Sequence, residues 1–147
     1  MATALLSNAI TRNKPAPTAD SNTTITVREE YDILAALVIN DTIDLVKIPV
    51  GYVPVDVILD TDDLDTGTAV ILSAGLRKAD GTTDAPACFI VGSTVGQAGG
   101  VARAAVKEGF RLAAATVERN VYVTVTTAPT TSATSGKIGV TVSYRPA

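Results

Sequence analysis

The stretch KIPVGYVPVDVILDTDDLDTGTAVILSAGL at residues 47–76 constrains the fold more than any other part of the chain. Val53, Val55, Val57 and Leu59 fall on one face of a period-two pattern, with Asp56, Ile58 and Asp60 on the other. A turn, Thr61–Gly67, follows, and then a second apolar run from Ala69 to Leu72. Alternation around a turn rich in Asp, Thr and Gly is expected of two half-buried strands, Val53–Asp60 and Thr68–Leu76, paired across that turn. On this pattern Val55 and Val57 face a core.

The same period recurs later. Val121, Val123 and Val125 share one face of Val121–Thr126, and Ile138, Val140, Val142 and Tyr144 share one face of Ile138–Tyr144. Ala87–Val91 reads as a buried strand, Ile25–Val27 as a first strand, and Ile43–Val50 as an apolar segment beyond the Asn40–Asp41 break. Tyr31–Ile39 is mostly apolar. The segment Val101–Asn120 suits either a helix or a hairpin through Lys107–Glu108–Gly109, and its strand-rich flanks favour the hairpin, with Phe110 and Leu112 on one strand. A helical turn is expected around Ser93–Gln97. Val, Thr and Ile together supply 49 of 147 residues (18, 21 and 10), and β-branched side chains pack well on a pleated surface. About eight strands without crossover helices imply an all-β, two-sheet β-sandwich, with a jelly roll as the first choice. A single domain of this length buries roughly 68–70% of the surface its unfolded chain exposes.

Residues 1–24 read differently. Pro15 and Pro17 favour extended backbone, polar residues surround them, and the apolar residues keep no period. This segment is expected to be an extended N-terminal arm preceding the sandwich domain at 25–147. It is either a mobile terminus or an arm that orders on a neighbouring subunit, with Leu5, Leu6 and Ile10 as anchors. No secretion signal or membrane span is legible, so an intracellular origin is expected. The mean hydropathy of +0.29 calls for a large core or for apolar surface that meets a partner.

Several kinds of chemistry are disfavoured. There is no histidine and one cysteine, Cys88, so the usual general base is missing and structural zinc sites of cysteines or cysteine–histidine pairs cannot form within the chain. Cys88, inside ACFIV, reads as a packed, inert thiol. VGSTVGQAGG (91–100) is neither a dinucleotide fingerprint nor a phosphate loop, and Ser93 lacks a nucleophile-elbow context. Dispersed bases without interleaved aromatics argue against nucleic acid. Charge is uneven: residues 20–65 carry eleven acids and two bases (−9), residues 66–147 four acids and eight bases (+4), and residues 1–19 two bases (+2). Either this marks an interaction face, or the halves interleave and the charges mix. The turn Asp60, Asp62, Asp63, Asp65 offers hard oxygen ligands but fails the EF-hand spacing, because Leu64 and Asp65 occupy the fifth and sixth positions counted from Asp60. It reads as a solvated turn capping its own N–H groups.

DTDDLDTGT (60–68), GQAGGVAR (96–103), VYVTVTTAP (121–129) and GKIGVTVSYRP (136–146), in this order across residues 25–146, resemble accessory capsid proteins of tailed bacteriophages, the decoration or cementing proteins. That resemblance implies a β-sandwich on the outer capsid that bridges neighbouring subunits of the major capsid protein, without catalytic residues or cofactors. It also implies a homo-oligomer located in the virion and assembled in the host cytoplasm, with no nucleic-acid or membrane partner. The interaction residues to examine are Leu5, Leu6, Ile10, Asp62, Asp63 and Asp65. A sugar- or ion-binding jelly-roll module and a phage tail or neck protein remain alternatives; an enzyme ranks below them. Because the acidic turn fails ligand spacing, thermal unfolding is expected to be the same with chelator and with millimolar Ca²⁺. A large upward shift with Ca²⁺ would make the turn a metal site.

Overall fold

The computed structural model describes residues 3–7, 10, 15–18 and 23–147. Among the described residues nine strands are present: β1 (Ala4–Leu6), β2 (Ile25–Asp32), β3 (Thr42–Ile48), β4 (Tyr52–Thr61), β5 (Ile71–Lys78), β6 (Thr83–Ser93), β7 (Gly100–Arg103), β8 (Arg119–Thr127) and β9 (Lys137–Pro146). They form an all-β sandwich of two sheets, ordered β1-β3-β8-β5-β6 and β2-β9-β4-β7. Leaving out β1, the remaining eight strands have the interleaved, doubly Greek-key order of a jelly roll. Every β2-to-β9 connection except β5–β6 changes sheet, so most pairs join strands far apart in sequence.

The alternating faces meet between the sheets. Ile43, Leu45 and Ile48 of β3, Val121, Val123 and Val125 of β8, and Leu72, Ala74 and Leu76 of β5 pack from one side. Val57 and Leu59 of β4 and Ile138, Val140, Val142 and Tyr144 of β9 pack from the other. Tyr144 is fully buried and meets Tyr52 edge-on, ring centroids 5.7 Å apart. Its hydroxyl donates to the Pro17 carbonyl (2.8 Å), and burial pushes its pKa up to about 12.

The sequence pattern misleads at three places. First, β4 and β5 do not pair with each other. β4 lies between β9 and β7, and β5 between β8 and β6, so the acidic turn crosses from one sheet to the other. Side-chain pattern records burial and not the neighbouring strand: β4 alternates, β5 is buried on both faces, and neither pattern names a partner. Second, Val55 faces outward, 38% exposed, while Pro54 is buried. A β-bulge between Pro54 and Asp56 shifts the β4–β9 register. The Asp56 carboxylate accepts the Val57 N–H at 3.0 Å there. The extra residue reverses the side-chain phase, so Val57 points inward and Val53 and Val55 do not.

Third, no hairpin runs through Lys107–Gly109. After β7 the chain bridges the two sheet edges, with the Ala104 N–H on the Val57 carbonyl (2.8 Å) and the Ala105 N–H on the Phe89 carbonyl (3.0 Å). It then makes a 3₁₀ turn at Lys107–Phe110, and Phe110 is exposed. The turn expected near Ser93–Gln97 is present as a 3₁₀ turn at Val95–Gln97. At Gly75 a Cβ would lie 2.3 Å from the Ala87 backbone nitrogen, so glycine lets β6 pass tightly over β5.

Cys88 is buried, and loss of water around it raises its thiol pKa to about 11. That keeps it protonated and unreactive at neutral pH.

The bulge yields a paired test. Val57→Asp places an unpaired carboxylate between the sheets and is expected to cost about 3–5 kcal/mol. Val55→Asp points into water and is expected to stay within about 0.5 kcal/mol of wild type. Urea unfolding of both variants reads the difference, and the opposite ranking would mean the register on β4 is wrong.

Candidate interaction surface

The four aspartates of the acidic turn do four different things. Asp60 faces the outside of the β2-β9-β4 ladder and takes two bonds from Arg28, from Nη2 at 2.6 Å and from Nε at 3.3 Å. The pair lies flat across β9 because residue 139 is glycine: a Cβ there would come within 2.5 Å of the Arg28 guanidinium. Asp62 is exposed, and its carboxylate accepts the Lys137 N–H (2.8 Å). Asp63 is exposed, and its carboxylate accepts the Asp65 N–H (3.1 Å).

Asp65 turns inward and is only 1% exposed. One of its oxygens accepts the N–H groups of Gly67 (2.9 Å) and Thr131 (3.0 Å). The other accepts those of Ala69 (2.9 Å), Val70 (3.1 Å) and Thr130 (3.1 Å). Burial alone would push this carboxyl up. The bonds from Thr131, Gly67, Ala69 and Thr130 outweigh it and hold the pKa well below the usual carboxylate range. Asp65 is therefore an internal tie between two loops and not a contact residue.

These ties build one end of the sandwich. Leu64 is fully buried beside them; its N–H reaches the Gly96 carbonyl (2.8 Å), and its carbonyl accepts the Ala133 N–H (3.0 Å). The β2–β3 loop is anchored to the same end by buried Ile33 and Leu37. The Ile33 N–H donates to the Gly136 carbonyl (2.8 Å), and the Leu37 N–H donates to Ser132 Oγ (2.8 Å). Asn40 adopts φ +68°, a left-handed turn that asparagine tolerates, and the buried Asp41 carboxylate accepts the Val38 N–H at 2.9 Å. What this bracing holds outward is apolar: Leu34 is 78% exposed, Ile39 52%, and Val38 lies beside them. Asp62 and Asp63 are exposed at the same end of the sandwich, and neither is in an ion pair among the described residues.

Sequence reading did not single out Leu34, Val38 and Ile39, because their segment is apolar throughout. Only the fold separates its anchors, Ile33 and Leu37, from its outward side chains. The N-terminal candidates are dispersed. Leu5 packs against the core as part of β1, Leu6 is 42% exposed, and Ile10 is half-buried with its N–H on Ser7 Oγ (3.3 Å).

The uneven charge largely mixes in space. Acids of the first half meet bases of the second in Asp44–Arg77 (2.6 Å), Asp32–Lys137 (3.2 Å), Glu30–Lys137 and Asp56–Arg103. Among the described residues no cluster of three acids or cysteines is placed to hold a metal ion.

Lowering Asp65's pKa on folding means the folded state binds its proton less readily than the unfolded chain. Its stabilising contribution is thus present above about pH 4, the ordinary aspartate value, and is lost as pH falls through the folded pKa. Asp65→Asn would set amide protons against a ring of N–H donors. It is expected to lower the thermal midpoint at pH 7 by several degrees and to flatten the midpoint's fall between pH 5 and pH 3. Melting curves across that range would show whether the variant keeps the wild-type slope, in which case Asp65 is not the tie.

No family model and no curated protein matches the chain. Solved structures do. It aligns with a chain of the capsid of Ralstonia phage GP4 over 99% of both chains, at 32% identity and a TM-score of 0.89. A chain of the cyanophage Pam1 capsid asymmetric unit matches with a TM-score of 0.68 and 22% identity, over 92% of this chain and 96% of that one. A chain of the acidic stable capsid structure of Helicobacter pylori bacteriophage KHP30 matches with a TM-score of 0.59 and 18% identity, over 86% and 90%. The last two show a shared fold. The first, aligned end to end at that identity and on the same strand framework, shows kinship: the chain belongs to a family of bacteriophage capsid-related proteins.

Proposed function

We propose that this protein is a structural virion component that decorates and cements the outer capsid shell of a tailed phage, acting as a homo-oligomer that bridges neighbouring major capsid subunits. Kinship with a capsid chain supports the virion role. The observation that carries the finer reading is the braced loop end, where Leu34, Val38 and Ile39 stand in water at the cost of exposed apolar area. Such a patch on a rigid support is characteristic of a surface that is covered in an assembly. Rigidity matters because contacts between preordered surfaces lose little conformational entropy on binding. Asp62 and Asp63 at the same end suit basic groups on the partner and would set orientation more than affinity. Many such contacts around a symmetric shell sum into stability for the particle, even if each is weak. No catalytic step is needed, and no nucleic acid or membrane is engaged.

Purified protein mixed with capsids that lack it is expected to co-sediment with them and to raise the temperature at which the particles open. Leu34→Asp with Ile39→Asp leaves the body folded, since both side chains are exposed. Losing even one buried aliphatic contact of about 1.5–3 kcal/mol would weaken each site roughly 10- to 100-fold. Asp62→Lys with Asp63→Lys should weaken binding less, and by an amount that shrinks in high salt. Absence of co-sedimentation, or binding without a gain in particle stability, would sink the cementing role and favour a tail or neck position. Binding untouched by the Leu34 and Ile39 substitutions would move the contact elsewhere on the molecule.

A further inference from the structure

The edge of β3 is built as a slot for a strand. The Thr42 N–H donates to the Thr3 carbonyl (3.1 Å), and the Asp44 carbonyl accepts the Ser7 N–H (2.8 Å). A bulge between Asp44 and Val46 leaves Leu45 without a partner on β8, and Ser7 Oγ donates to the Leu45 carbonyl at 2.8 Å. The buried Asp41 carboxylate accepts the Thr3 N–H (2.8 Å), so the slot also has a stop at its start. Within it Ala4, Leu5 and Leu6 run parallel to Thr42, Ile43 and Asp44, Leu5 packs against the core, and Ser7 is fully buried. An empty slot would leave these backbone groups and an open sheet edge exposed, which costs stability and invites pairing.

We propose that, where copies of this chain sit side by side, the slot of one is filled by Thr3–Ser7 of its neighbour, so that exchanged β1 strands lace the copies together. Three features support exchange. Among the described residues, the hydrogen bonds that tie Thr3–Ser7 to the body all reach residues 41–45. The strand therefore carries its contacts with it, and a second copy offers the same set, so exchange keeps every bond. The link is long: nine residues, 8–16, lie between Ser7 and Pro17, whose carbonyl Tyr144 holds on the body, and at full extension they reach roughly 30 Å. Returning to that point in the same chain requires only crossing between sheets packed about 10 Å apart. Register is also encoded twice, by Asp41 at one end and Ser7 at the other, which an exchanged strand needs in order to seat uniquely. The proposal takes from the capsid reading only the circumstance that holds copies adjacent.

The test uses Ala4→Cys and Thr42→Cys, which are Cα partners in the β1–β3 pair. Each single variant is purified and reduced, and the two are mixed, free in solution and on capsids lacking the protein, then oxidised and run on a non-reducing denaturing gel. A disulfide joining the two different chains forms only if the arm of one lies on the β3 of the other. Exchange predicts that cross-linked dimer approaches about half of the chains in an equimolar, randomly assorted mixture, the statistical ceiling for single variants, and that the double variant Ala4→Cys/Thr42→Cys becomes covalent oligomer. Cys88 is buried and protonated and should not compete. A double variant that oxidises only within the monomer, with no dimer in the mixture, overturns the proposal. So does failure of any disulfide to form, because the strand then does not occupy the slot. Sedimentation of the same samples separates the two readings. Particle binding with purely intrachain cross-links leaves decoration standing and removes exchange; interchain cross-links without particle binding do the reverse.

Discussion

One buried carboxylate organises the end of this molecule. Asp65 is sealed from water, and an ionised group in that position is tolerable only if protein dipoles replace its hydration. Five backbone N–H groups from two loops distant in sequence do so. The β4–β5 and β8–β9 connections are thereby made into one rigid piece, on which the β2–β3 loop is anchored through Ser132 and Gly136. Without that compensation, three polar, threonine-rich loops would have no reason to hold a common shape. With it, exposed Leu34, Val38 and Ile39 are presented as a fixed surface.

Sheet edges set the second constraint. A two-layer sandwich has four of them, and each is an unsatisfied row of backbone groups. On one side, the segment after β7 closes the gap by bonding to both β4 and β6. On the other, β1 covers β3, and Tyr144 reaches out of the core to hold the Pro17 carbonyl. The arm therefore has structural work in the single chain as well as the reach to do the same work for a neighbour. An edge that needs a strand accepts the same strand from any copy.

The outward face of the β2-β9-β4 ladder is managed differently. Arg28, Glu30, Asp32, Asp60 and Lys137 interlock across three strands, with Gly139 leaving room for them. Exposed pairs of this kind contribute little to stability one by one. Their consequence is that this face is charged and hydrated and is not itself an apolar contact surface.

Much of this was legible in the sequence. The excess of β-branched residues and the period-two runs of Val121–Thr126 and Ile138–Tyr144 determined an all-β sandwich with an aliphatic core, because alternation is imposed by one buried face whatever the partner strand. The same locality explains what was not legible. Alternation cannot say which strand lies alongside, so β4 and β5 read as a pair although they lie in opposite sheets. It cannot register a bulge, so Val55 read as core until the pairing with β9 showed the extra residue. Nor could four aspartates in six positions be told apart: Asp65 became an internal tie, Asp60 an ion-pair partner, and Asp62 and Asp63 surface charges, only because other loops arrived from far along the chain. Local side-chain pattern is written into the sequence by burial alone, while partner, register and the fate of each polar group are decided by contacts that exist only once distant segments meet.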